Sequence, residues 1–259
     1  MKVVRHCGRL TALLLGAYAL PGPAQVYTDP SAFLNALPGP AGILNFDALP
    51  GGSDLSGVTL NVTGGPGTGI RFPDSVLDWQ GWELHLQVVA GSPTMSPANS
   101  LGTADPWNYD AISGGTFINL DLTSSVDAFG LTFITPDTLL NDDIRLIAGS
   151  ETASLLVADR TLVGTFDNNP YYAYFLGIVG SSAFNLAAIR YGNGTGGAFL
   201  YNLDDLTVAT AATATPVPGT ALLVLGGALA ARRRRPRPGA PGTDGDGSHG
   251  LEPGPDRAR

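Results

Sequence analysis

The sequence predicts an all-β protein: an antiparallel β-sandwich, jelly-roll-like, with one short N-terminal helix and an apolar helix near the C-terminus. Three observations carry this. Apolar and polar residues alternate at period two through most of the chain, which puts one side of each run on a core and the other in solvent. Clusters of Gly, Pro, Asn and Asp separate those runs, among them GGPGTG at 64–69, DNNP at 167–170 and GNGTGG at 192–197. Only one stretch in the body has the spacing and cap of an amphipathic helix.

That helix is predicted just after Asp29. Asp29 is a capping residue with Pro30 at the first helical position, and Phe33, Leu34 and Leu37 fall on one face. Gly39 and Pro40 close it. The strands follow in order. Val58, Leu60 and Val62 alternate with Thr59, Asn61 and Thr63, and Trp82, Leu84, Leu86 and Val88 alternate with Glu83, His85 and Gln87. Ile118, Leu120 and Leu122 form another inward row, as do Phe129, Leu131 and Phe133. Further apolar runs lie at 144–148, 153–157, 173–179, 184–191 and 199–208. Together they make about ten or eleven short strands, enough for a two-sheet sandwich in one domain. The polar stretch 91–111 reads as a surface excursion, and no internal repeat is visible.

The N-terminus adds an address. Lys2, Arg5 and Arg9 flank the apolar run Leu10–Leu20, and Gly22 and Ala24 supply the small residues of a cleavage site. This is the pattern of a secretory signal peptide over 1–24, cut between Ala24 and Gln25. The only cysteine, Cys7, lies inside it. Residues 25–215 therefore hold no disulfide, thiolate nucleophile or zinc–thiolate site. The same stretch carries 18 Asp and Glu against four Arg (Arg71, Arg145, Arg160, Arg190) and no Lys, a net charge of −14. Such a body repels nucleic acid and anionic lipid and favours neutral glycans, cations or other proteins as partners.

No motif declares a reaction. There is no G-x-S-x-G nucleophile elbow and no H-E-x-x-H, and GGPGTG lacks the lysine of a phosphate loop. His85 is the one histidine of the body and falls on the polar side of its strand. The expectation is a non-enzymatic binding or structural domain; the alternative is a secreted carbohydrate-active enzyme or carbohydrate-binding module on the same fold. Two candidate sites arise. Trp79, Trp107 and Tyr109 sit in turn-rich segments, where aromatic rings are free to stack on sugar, whereas Trp82 alternates with core leucines and is expected inside. Asp204 and Asp205 interrupt the last apolar run between Leu203 and Leu206, which suggests a β-bulge, and Asp47 lies near the end of the first strand. If those strands are neighbours, Asp47, Asp204 and Asp205 could share calcium, the one cofactor considered.

The C-terminal region carries Pro216-Val217-Pro218-Gly219, the apolar run Thr220–Ala231 and the block Arg232, Arg233, Arg234 and Arg235. A proline motif, a short apolar segment and an arginine cluster in that order resemble the PEP-CTERM sorting signal of Gram-negative bacteria. Here the family's Pro-Glu-Pro lacks its Glu, and the chain continues past the arginines as a Pro/Gly-rich tail over 236–259, expected to be disordered. The stretches FLNALPGPAGILNFDALPGG and FLYNLDDLTVA are also similar to openings and endings of such proteins. The resemblance implies 25–215 as an exported ectodomain, at the cell surface or in an extracellular matrix. It implies 216–235 as a sorting or transmembrane segment, transiently or stably anchored in the inner membrane. An exosortase-type membrane protease is then the processing partner, and extracellular polysaccharide the surrounding material.

Overall fold

The computed structural model of the chain describes residues 23–91, 93–105, 107, 110–166, 168–192 and 199–211, and the structural statements that follow concern these residues. Fifteen strands and one α-helix are present. The chain opens with β1 (Gln25–Tyr27), helix α1 (Pro30–Ala36), β2 (Ala41–Leu44), β3 (Thr59–Asn61) and β4 (Gly69–Arg71). A small hairpin, β5 (Val76–Leu77) and β6 (Glu83–Leu84), precedes β7 (Leu86–Ala90), β8 (Asn99–Thr103) and β9 (Ile112–Ser113). Then come β10 (Ile118–Thr135), β11 (Ile144–Ala148), β12 (Glu151–Ser154), β13 (Thr161–Phe166), β14 (Asn169–Tyr191) and β15 (Leu200–Ala209).

Every strand pair is antiparallel. The main order is β12-β11-β14-β10-β15-β8-β7; β1 and β13 also pair with β14, β2 and β9 with β15, and β4 bridges β10 to β3. The expected pair of separate sheets is thus corrected. Thirteen strands join one continuous sheet, and only β5–β6 stands apart. The cause is the length of β10 and β14, 18 and 23 residues, which run past the point where a sandwich strand would stop. Their pairing slips between Asp121 and Val126 and again before Ala128, so each strand has two regular halves joined by an irregular middle. A chain of rings, Tyr191–Phe199–Tyr201–Phe133, with centroids 5.7–6.2 Å apart, links one half to the other within the main core, and a smaller cluster of Phe33, Ala128, Phe175 and Ala209 packs apart from it.

The alternating rows behave as the pattern requires. Ile118, Leu120, Phe129, Leu131 and Phe133 are fully buried, while Asn119 and Asp121, on either side of Leu120, face solvent. The stretch 91–111 does not. Instead of a surface excursion it contains β8, buried at all five positions. Its polar residues are admitted because backbone carbonyls meet them: Asn99 Nδ2 donates to Leu49 O (2.8 Å) and Phe46 O (3.3 Å), and Thr103 Oγ1 donates to Ala111 O (2.7 Å). Gly102 admits this crossing, since a Cβ there would stand 2.0 Å from Asp110 O.

The helix shows why two turns suffice. Asp29 Oδ1 accepts from Ala32 N at 2.6 Å, Pro30 follows, and Leu37 leaves the helix at ψ 136° because Pro38 excludes the α region for the residue before it. Of the expected apolar face only Phe33 is fully buried; Leu34 is exposed and Leu37 half-buried.

The expected C-terminal apolar helix, and the membrane placement built on it, is also corrected. Among the described residues the one α-helix is the N-terminal one, and no helix is long and apolar enough to cross a membrane. The physical ground was already thin, since the 12 uncharged residues 220–231 would span about 18 Å as a helix against a hydrocarbon core of ~30 Å. Pro216–Gly219 and Arg232–Arg235, on which anchoring and the exosortase-type partner rested, lie outside the described residues, as do 1–22. The chain divides into two units, Met1–Ala212 and Thr213–Arg259, and the second falls wholly outside them. Ala24 and Gln25 are described: Gln25 is the first residue of β1 and pairs with Val179.

Candidate functional site

The β5–β6 hairpin presents two large rings to solvent. Val76 pairs with Leu84 and Leu77 with Glu83, and the connection Asp78-Trp79-Gln80-Gly81-Trp82 is held from inside. Asp78 is buried, and its Oδ1 accepts from Gln80 N (2.9 Å) and Trp82 N (2.7 Å); Gly81 N donates to Asp78 O and Asp78 N to Trp82 O. Gly81 takes φ +85°, the left-handed residue that a three-residue hairpin loop of this kind requires. Gly115 packs under the loop, where a Cβ would lie 2.6 Å from Trp79 Cβ. On this rigid frame Trp79 is 59 % exposed and Trp82 63 %, with Leu77 beside them at 56 %.

Trp82 overturns the sequence expectation of a core residue. Its alternation with Leu84, Leu86 and Val88 is real, but β6 leaves the main sheet, so the inward row runs off the edge of the core before reaching it. A cue was present in the D-W-Q-G turn, which forces the strand to reverse three residues earlier. Trp107 is 88 % exposed in a separate loop, with its backbone N–H donating to Asp105 Oδ1 at 3.0 Å. Tyr109 lies outside the described residues.

The acidic residues of the last strand form a second feature. Antiparallel pairing shifts by one residue between Gly130–Thr207 and Thr132–Asp204, which places a bulge in β15 where two adjacent acids had suggested one. Asp205 sits at φ +48°, a conformation Asp and Asn tolerate better than other non-glycine residues. Asp47 lies in the turn that follows β2, and β2 pairs with β15. Asp204, fully buried, accepts from Met95 N (3.0 Å), Ser96 N (3.1 Å), Ser96 Oγ (3.0 and 3.2 Å) and Asp205 N (2.9 Å). It clamps the loop between β7 and β8 onto the sheet. Asp47 Oδ1 is taken by Asn99 N at 3.2 Å. Among the described residues no group of three or more His, Cys, Asp or Glu is placed to hold a metal ion. Asp204 and Asp47 thus spend carboxylate oxygens on backbone and serine donors.

Burial raises the pKa of Asp204 against the pull of its donors. Asp205 is pushed up to about 6, first by burial and then by the charges of Asp204 and Asp47. An Asp that holds its proton more tightly when folded makes stability fall as pH rises from the unfolded value near 4 to the folded value near 6. Asp205→Asn is therefore expected to stabilise the protein above pH ~6 by about 1 kcal/mol, partial solvent access having been allowed for. It should also flatten the melting temperature between pH ~4 and ~6. Thermal melts of both proteins across that range check this, and parallel pH curves would refute it.

His85 is exposed, its Nδ1 3.5 Å from Asp54 Oδ2. Asp54 is held below its usual pKa, chiefly by the Ser56 N–H and hydroxyl and less by His85. Comparison of the chain with protein-family models, with curated proteins and with solved structures finds no match.

Proposed function

We propose that the described domain is a non-enzymatic binding module and that the Trp79–Trp82 hairpin is its contact element for a neutral polysaccharide. The supporting observation is two tryptophans, each more than half exposed, on a turn fixed by a buried aspartate. Leaving indole in water forfeits apolar burial that a core position would have supplied, about 1.5–3 kcal/mol for a large side chain. A rigid pair of rings loses little conformational freedom when a flat sugar face stacks on it. Gln80 and Glu83 on the same hairpin add hydrogen-bonding groups, and the acidic body disfavours anionic chains.

Titration of the full chain with soluble neutral glucans and mannans, followed by tryptophan fluorescence and calorimetry, tests this. Trp79→Ala and Trp82→Ala are each expected to weaken binding about fivefold, on the order of 1 kcal/mol per stacked ring, with the melting temperature little changed. Binding that is absent, or unaffected by both substitutions, would sink the proposal.

A further inference from the structure

A third exposed ring lies beside the hairpin, and its role rests on the hairpin being a polysaccharide contact. Phe117, the residue before β10, is 56 % exposed. Along this segment Thr116, Ile118 and Leu120 are buried, whereas Phe117 and Asn119 are exposed and Gly115 is half-buried. Such alternation puts Gly115, Phe117 and Asn119 on one side of the chain. Trp79 stands on that side, because the Cβ that Gly115 lacks would lie 2.6 Å from Trp79 Cβ and 3.1 Å from its Cα. Two residues of extended chain advance about 6.6 Å, so the Phe117 Cα lies within about 11 Å of Trp79 Cβ.

This segment is braced as firmly as the hairpin. Thr116 N donates to Ser113 O at 2.9 Å, and the hydroxyls of the same two residues, both buried, are 2.9 Å apart. Arg190 covers one face of the Phe117 ring, its guanidinium carbon 5.4 Å from the centroid. That guanidinium is itself fixed, donating to Ile118 O (3.1 Å), Ile189 O (3.0 Å) and Asn119 Oδ1. A cation held over one face steadies the ring and leaves the opposite face for a ligand. Because Arg190 takes the Asn119 oxygen, the Asn119 amide nitrogen keeps its two N–H donors for a ligand hydroxyl.

We propose that Phe117, with Asn119 beside it, is a further sugar subsite of the Trp79–Trp82 surface, so that the ligand is an extended neutral chain of several sugars. The apolar C–H face of a pyranose stacks on the phenyl ring, and a hydroxyl at its rim accepts from Asn119 Nδ2. A disaccharide is taken up by the two tryptophans; a longer chain is needed to reach Phe117 as well.

Calorimetric titration of the full-length protein with linear gluco- and manno-oligosaccharides, from disaccharides to hexasaccharides, and with the corresponding soluble polymers tests this. The affinity of the parent is expected to rise with chain length. Phe117→Ala should weaken the longest saccharide bound about fivefold and leave the shortest unchanged, whereas Trp79→Ala should weaken both. Phe117→Tyr, which keeps the ring, should bind like the parent, and thermal melts should show each variant folded. The subsite is overturned if Phe117→Ala matches the parent on the longest saccharide. It is overturned equally by a loss of the same factor at every length, the mark of a ring that only supports Trp79. In either case a loss of binding in Trp79→Ala leaves the hairpin as the contact without Phe117. If no saccharide binds the parent, hairpin contact and subsite fall together.

Discussion

Asp204→Ala is expected to destabilise the protein by about 3 kcal/mol, enough to lower the melting temperature of a domain this size by roughly 6–12 °C. The side chain accepts every donor that the tip of the β7–β8 loop aims inward: two backbone N–H groups and the Ser96 hydroxyl. Removing it leaves these donors and the N–H of Asp205 to find water. The site is buried, so each donor either stays unpaired, at about 1–3 kcal/mol, or is re-solvated by lifting the loop off the sheet. The second route is easier, which sets the estimate below the sum of the parts. Urea denaturation reads the total. Amide exchange at Met95 and Ser96 separates the mechanism, because loop release speeds exchange there locally while the Ile118–Leu122 amides speed up only as far as global stability falls. Asp204→Asn keeps one acceptor oxygen and should fall between the parent and the alanine variant. Equal stability of all three proteins would show that the clamp holds nothing.

This clamp was half-legible in the sequence. Two adjacent acids between apolar neighbours pointed to a bulge, and the pairing shift at Asp204 and Asp205 is that bulge. What the acids do there was not readable. Their partners, Met95 and Ser96, lie more than a hundred residues earlier, in a polar stretch whose pattern resembles any solvated loop. The same non-locality hid β8. Its Asn99, Ser100 and Thr103 mark a strand as exposed on composition alone, and burial becomes acceptable only because the Leu49 carbonyl, fifty residues away, meets Asn99 and the Ala111 carbonyl, across the next turn, meets Thr103. Period two located β10 at Ile118–Leu122 and Phe129–Phe133, and apolar runs located β14 at 173–179 and 184–191, yet neither pattern says whether one strand ends before the next begins. Hence a single long strand was read as two, and one continuous sheet as a sandwich of separate ones. Trp82 failed for a related reason, since alternation gives a direction within a strand and says nothing about where the core stops.

The helix offers the sharper test of packing. Phe33→Ala is expected to destabilise by about 3–5 kcal/mol, the range for deleting a fully buried phenylalanine. Phe33 is the only fully buried residue of α1, with its ring 5.2 Å from Phe175 and 5.8 Å from Tyr27. Its floor is made of two glycines, Gly130 of β10 and Gly177 of β14, paired directly across the sheet. A Cβ on Gly177 would stand 2.6 Å from Phe33 Cδ2 and 2.8 Å from Phe175 Cε1; one on Gly130 would stand 2.7 Å from Phe175 Cζ and 2.9 Å from Phe33 Cε1. Strand interiors disfavour glycine, so a facing pair is accounted for by the ring it admits. Gly177→Ala alone should therefore cost about 2 kcal/mol by overpacking. In the Phe33→Ala background the socket is empty on one side and only Phe175 must yield, so the same alanine should cost under about 1 kcal/mol. The coupling of at least about 1 kcal/mol between the two positions is the quantity to measure, by urea melts on the four proteins of the cycle. Additive losses would mean that Phe33 does not rest on Gly177, and that the helix is held by its cap and by β1 instead.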